Sequence, residues 1–167
     1  MPAEWGGDKC PALASGVTSG LATGNQLSKI VVKDCDGNDV SLDQFCGASA
    51  LWIFAAHGWC PHCQAVSKNA EAIHTSFAGR NLASVNILVE NASYDVPTAQ
   101  DCKAWRTANK LQNVVTLFDA KGATRGLWDN NTTALSVFVN ARRLIVGKSH
   151  TDSTTALKGS IESALTP

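Results

Sequence analysis

The sequence carries no excess of charge. Its 14 basic residues balance 14 acidic ones, and no block of like charge occurs. That argues against nucleic acid or an anionic membrane surface as the partner. No apolar run is long enough to span a bilayer, so membrane insertion is not expected. No apolar signal segment follows Met1-Pro2-Ala3. There is no internal repeat, no domain break and no second C-x-x-C. His74 and His150 stand at no ligand spacing, and a lone cysteine pair is weak evidence for zinc. We expect no metal and no cofactor, and a monomer.

Six cysteines in 167 residues contrast with these absences. A cytosolic enzyme of this size rarely carries six without a metal site or a catalytic need. An even count fits disulfides in an oxidising compartment. An exported chain whose signal or anchor has been removed is the expectation.

Residues 1–25 have little periodicity and read as an irregular lead-in. Residues 26–167 read as one domain. "KIVVKDCDGNDVSL" (29–42) predicts a hairpin, with a strand from Ile30 to Lys33 and a turn at Asp36-Gly37-Asn38. "DQFCG" predicts a short helical turn ending at Gly47. "ALWIFAA" (50–56) is a continuous apolar run, the mark of a strand buried on both faces. Val66, Ala70, Ile73 and Phe77 then recur at helical spacing, and Gly79 can end that helix. The remainder predicts a strand over 83–90, a helix over 98–111, a strand over 113–119, two strands joined around 140–143, and a closing helix. Asp152 or Ser153 is its N-cap. This is an α/β protein with a mixed central β-sheet flanked by helices and extended by an N-terminal β-hairpin.

The chemistry concentrates at "AAHGWCPHCQAV" (55–66). Cys60 falls where a buried strand gives way to a helix. There the unpaired N–H groups and the helix dipole favour a thiolate. Cys63 lies one turn on, near enough to bond to Cys60 and too buried to compete for outside partners. Pro61 occupies the first turn, where its missing N–H costs nothing. Cys60 is therefore the expected nucleophile and Cys63 the resolving cysteine. An imidazolium at His62 would stabilise the thiolate and make the disulfide more oxidising, by roughly 30 mV for about 1.4 kcal/mol. His57 could add to that.

"WCPHC" between a buried strand and a helix resembles the active site of the thioredoxin superfamily. Its Pro-His dipeptide is the one found in DsbA-type disulfide oxidases. The longer stretch from Val31 to Val66 resembles the TlpA/ResA-like, redoxin-type branch, in which a hairpin and a Ser-Leu segment precede the motif strand. The resemblance covers roughly residues 28–165. It implies a thioredoxin fold and bacterial extracytoplasmic thiol–disulfide exchange with protein thiols and a redox partner protein. Pro-His argues for an oxidase and the TlpA/ResA-like frame for a reductase. Trp59 would line the substrate surface.

Two departures from that pattern are visible. Thioredoxin-fold enzymes place a cis-proline beside the redox pair, and Thr133 and Ala134 stand at that position here. A cis bond before Ala134 would cost about 3 kcal/mol more than one before proline, so trans is expected there. The loss motivates a second reading, a metal-binding or interaction module with weak exchange activity. The buried acid of thioredoxins is replaced by Phe54, for which Glu90 is a substitute or an ordinary strand-end acid. The peroxiredoxin arrangement Pro-x-x-x-Thr-x-x-Cys fails, because residues 53–60 lack both the proline and the threonine. Of the four other cysteines, Cys35 and Cys46 are near in sequence and are expected to pair. That leaves Cys10 for Cys102.

Overall fold

The computed structural model describes residues 10–128 and 135–166. Their element order is β1 (Ser19–Gly20), β2 (Gln26–Leu27), β3 (Val31–Asp34), β4 (Asp39–Ser41), β5 (Ala50–His57), α1 (Pro61–Thr75), β6 (Leu82–Glu90), α2 (Ala99–Ala108), β7 (Val115–Phe118), β8 (Ser136–Asn140), β9 (Ile145–Ser149) and α3 (Thr154–Leu165). Seven strands form one sheet in the order β4-β3-β7-β6-β5-β8-β9. The central β5, β6 and β7 run parallel, and the outer pairings are antiparallel. The mixed sheet with antiparallel margins is the one expected from the alternation of strands and helices.

The hairpin forms because Asp34 organises its turn. Its Oδ1 accepts from the backbone N–H groups of Asp36 and Asn38, both at 2.9 Å, and Gly37 takes φ 91°. The continuous run at β5 is buried from Ala50 to Ala56 because strands flank it and each face is covered. Trp52 and Phe54 point to the face under α1 and α3, where Val66, Ile73, Leu157 and Ile161 close the core. Ala56 and Leu88, further along that face, meet Cys102 of α2. The opposite face carries Leu51, Ile53, Val85 and Ile87. It is covered by Leu27, Ile30, Leu42, Phe45 and Leu127, none of which belongs to an α-helix.

Local chemistry sets the helix boundaries. α2 starts in a capping box: Thr98 Oγ1 accepts from Asp101 N, and the Asp101 carboxylate accepts from Thr98 N. α3 is capped by Ser153, one of the two residues proposed. α1 ends at Thr75, earlier than Gly79, because Ser76 already turns the chain. The lead-in, read as irregular, contains β1, which pairs in parallel with β2.

The disulfides are Cys10–Cys46 and Cys35–Cys102. This corrects the pairing inferred from proximity in sequence. The hairpin docks on β7, with Asp34 opposite Leu117. That pairing sets Cys35 beside α2, where its sulfur and that of Cys102 lie 3.6 and 3.8 Å from the Thr116 carbonyl oxygen. Cys46 follows the 3-10 turn Leu42–Phe45 and faces the N-terminal segment instead. In the chain-entropy account, a crosslink that closes a loop of this length is worth about 4 kcal/mol. Replacing Cys35 and Cys102 together by alanine should lower the free energy of unfolding by about 2–4 kcal/mol in urea titration. A loss below about 0.5 kcal/mol would show that the link constrains little.

Candidate active site

Cys60 is the N-cap of α1, with extended backbone at φ −91° and ψ 116°. Its Sγ accepts from the backbone N–H of Cys63 at 3.2 Å. Pro61 is in the first turn and withholds no hydrogen bond the helix needs. The Cys60 N–H donates to the His57 carbonyl at 2.9 Å, which closes a tight loop between β5 and α1. Burial does not separate the two cysteines: Cys60 is 1% exposed and Cys63 0%. The contrast in exposure expected from sequence is thus not what distinguishes the two. Position in the helix does, since the N–H of one points to the sulfur of the other.

A carboxylate organises one side of this loop. The parallel pairing of β5 and β6 shifts register between Ala56 and His57, so that His57 lies opposite Glu90. Glu90 Oε2 then accepts from Trp59 Nε1 at 2.7 Å and meets His57 Nδ1 at 3.2 Å. The Glu90 N–H belongs to the strand, and its carbonyl accepts from Gly58 N at 2.9 Å. Gly58 is required by close approach: a Cβ there would lie 2.6 Å from Ala92 N. Tyr94 stacks on Trp59 with ring centroids 4.9 Å apart and is itself 68% exposed. Trp59 is thus fixed at its indole N–H by Glu90 and on its face by Tyr94. The indole hydrogen bond is the main cause that holds the Glu90 carboxyl below its ordinary value, with burial opposing and His57 adding to it.

The other side carries a second acid–imidazole pair. His62 Nδ1 lies 2.8 Å from Asp152 Oδ2, and both side chains are exposed. Asp152 is available because Ser153 takes the cap of α3. Trp59 and His62, on either side of Cys60 in the chain, are thus held by Glu90 and by Asp152. Glu90 belongs to the same site, as a partner of Trp59 and His57. Phe54 is fully buried and stacks on Trp52 at 4.4 Å, so the strand carries packing where a thioredoxin carries its acid. Thr133 and Ala134 lie outside the described residues. His74 stands apart, against Ser84 Oγ at 2.9 Å. Sequence reasoning missed Tyr94 and Asp152 as site residues. The single tyrosine of the chain was one available signal for Tyr94; nothing local pointed from His62 to Asp152. Among the described residues, the one group of metal-capable side chains within reach of one another is Cys10, Asp43 and Cys46, and its two sulfurs are already joined.

A C-x-x-C that caps a helix directly after the buried parallel strand of a mixed sheet defines a protein of the thioredoxin fold. The solved structures agree with that class. A hypothetical protein of Sinorhizobium meliloti 1021 superposes with a TM-score of 0.74 at 18% identity, covering 89% of this chain and 86% of that one. A thiol:disulfide interchange protein of Chlorobium tepidum TLS gives 0.65 at 16% identity, over 88% and 99%. A secreted Mycobacterium tuberculosis disulfide oxidoreductase homologous to E. coli DsbE gives 0.64 at 15% identity, over 83% and 96%. No curated protein matches the sequence. The chain belongs to the AhpC/TSA family, whose sequence pattern matches residues 23–150.

The Glu90 contacts have a pH signature. A depressed carboxyl contributes its stabilisation above its ordinary value of 4.5 and loses it as pH falls through the lower, folded value. Trp59 fluorescence, isolated by subtracting a Trp59→Phe variant, should change in a transition below pH 4.5. Glu90→Gln should abolish that transition. A midpoint at or above the ordinary value would contradict the Glu90–Trp59 bond.

Proposed function

We propose that the protein is an extracytoplasmic thiol–disulfide oxidoreductase that exchanges disulfides with protein thiols through Cys60 and Cys63. The observation that carries this reading is the hydrogen bond from Cys63 N to Cys60 Sγ at the start of α1. An N–H donor and the positive end of a helix both favour negative charge on that sulfur. In the oxidising direction, a substrate thiolate attacks Cys60 Sγ of the Cys60–Cys63 disulfide, and Cys63 leaves as a thiolate. A second substrate thiolate attacks the substrate sulfur of the mixed disulfide. The substrate departs as a disulfide, and Cys60 keeps the electron pair. The reducing direction reverses both steps. A redox partner protein restores the starting state.

His62, tied to Asp152, sets the charge beside the pair and so tunes its potential. Pro61 shapes the first turn. Trp59, held by Glu90 and Tyr94, forms the rim where substrate docks, with Thr133 and Ala134 as the facing loop. The two other disulfides favour an oxidising compartment, as does likeness to a secreted disulfide oxidoreductase. No helix among the described residues is long and apolar enough to cross a membrane. The protein acts as a monomer on these partners. The replacement of the family proline by Ala134 motivates the other reading, a metal-binding or interaction module, and the same experiment separates the two.

Cys60→Ser should reduce disulfide exchange with a cysteine-containing peptide to background. Cys63→Ser should accumulate a mixed disulfide at Cys60, read by intact mass under non-reducing conditions. Trapping at Cys63 instead would reverse the assigned roles. Stoichiometric zinc, copper or iron on the reduced protein, with no exchange, would replace this function by the metal-binding one.

A further inference from the structure

The two remaining disulfides sit in opposite electrostatic settings. Cys35 and Cys102 are 3% and 0% exposed, in an apolar cluster with Ala56, Leu88 and Phe118. The polar atom beside both sulfurs is the Thr116 carbonyl oxygen. A carbonyl oxygen opposes a thiolate, and so does apolar burial. That link resists reduction. Cys10–Cys46 differs at both ends. Cys10 is half-buried, the more open end of the link to an external thiolate. Cys46 is 7% exposed and lies against a buried cation. Arg143 Nη1 donates toward Cys46 Sγ at 2.7 Å and lies 3.9 Å from Cys10 Sγ.

Arg143 is built into this place. It occupies the β8–β9 turn with φ 63°. Its guanidinium also donates to the carbonyls of Leu27 at 3.0 Å and Leu42 at 3.5 Å, and pairs with Asp43 Oδ1 at 2.9 Å. The Asp43 carboxylate offsets part of the positive field. The Asp43 carbonyl oxygen lies 3.4 Å from Cys10 Sγ. That contact weighs against a thiolate on Cys10, whereas the guanidinium favours one on Cys46. Thiol–disulfide exchange is fastest when the attacked sulfur is accessible and the leaving sulfur is the better-stabilised thiolate. Here those are different sulfurs, in the productive order.

We propose that Cys10–Cys46 is a second exchangeable disulfide, in which Cys10 is the attacked sulfur and Cys46 the leaving group held by Arg143. The co-reactant is a dithiol or a protein thiol. Its thiolate bonds to Cys10 Sγ, the Cys10–Cys46 bond breaks, and Cys46 leaves as a thiolate beside the guanidinium. A second thiolate then takes the co-reactant sulfur as its own disulfide and leaves Cys10 as a thiolate. The reaction unties the N-terminal segment from the 3-10 turn. Gln26 Nε2, which donates to the carbonyls of Pro11 and Ala12 at 3.2 and 3.4 Å, remains to hold it.

Graded dithiothreitol on the folded protein, quenched by alkylation and read peptide by peptide, tests this. Cys10 and Cys46 should label at least about tenfold faster than Cys35 and Cys102. With glutathione as the reductant, the first adduct should fall on Cys10. Arg143→Gln should slow the opening of Cys10–Cys46 about tenfold, and Asp43→Asn should quicken it. A purely structural role would make both variants open faster, through loosened packing. Equal labelling of the two disulfides, an adduct on Cys46, or an Arg143→Gln protein that opens as fast as the parent would overturn the proposal. Should Arg143→Gln fail to fold, the first glutathione adduct on the parent decides: an adduct on Cys10 supports the proposal, and one on Cys46 overturns it.

Discussion

The backbone N–H of Cys63 points to the sulfur of Cys60 from 3.2 Å away. The contact depends on the whole centre of the molecule. It needs β5 buried between β6 and β8, so that the chain leaves the sheet at one fixed point. It needs the tight turn closed by Cys60 N and the His57 carbonyl, and Pro61 to begin α1 without a donor to satisfy. The core under α1, from Val66 to Ile73, then holds the helix N-terminus in place. A sulfur becomes the functional terminus of a strand–helix unit, in the place a serine or aspartate usually fills.

Around that sulfur the fold arranges two acid–imidazole pairs, on opposite sides and with unequal exposure. Glu90 lies at the end of the neighbouring strand and holds Trp59 by its indole nitrogen. Asp152 lies before the last helix and holds His62. The first pair fixes a surface, because the aromatic platform of Trp59 and Tyr94 rests on it. The second leaves the imidazole exposed to solvent beside the pair. The remaining cysteines follow the same physical logic with different outcomes. Apolar burial and a carbonyl oxygen surround Cys35–Cys102, and a guanidinium lies against Cys46.

Much of this was legible in the sequence, and the limits were physical. The apolar run at 50–56, the helical spacing from Val66 to Ile73 and the Asp-Gly-Asn turn each express a local rule. Each appears as a strand, a helix or a hairpin. The gathering of Trp59, Pro61 and His62 beside the cysteines follows from adjacency. What could not be read were contacts made by long-range packing. The docking of β3 on β7 sends Cys35 to Cys102 rather than to Cys46. The register shift after Ala56 brings Glu90 to His57 and Trp59. Arg143 reads as a turn residue and proves to be a buried cation, because the β8–β9 turn folds over the N-terminal half.

The central claim is that Cys60, as the cap of α1, forms with Cys63 a reversible two-electron couple. Equilibration in glutathione redox buffers of graded poise, with the Cys60–Cys63 peptide followed by alkylation and mass, tests it most directly. The account predicts one reversible transition of that pair at a defined potential, in folded protein, with Cys35–Cys102 intact throughout. A pair that stays fully reduced across the range, or that changes state only when the protein unfolds, would contradict it.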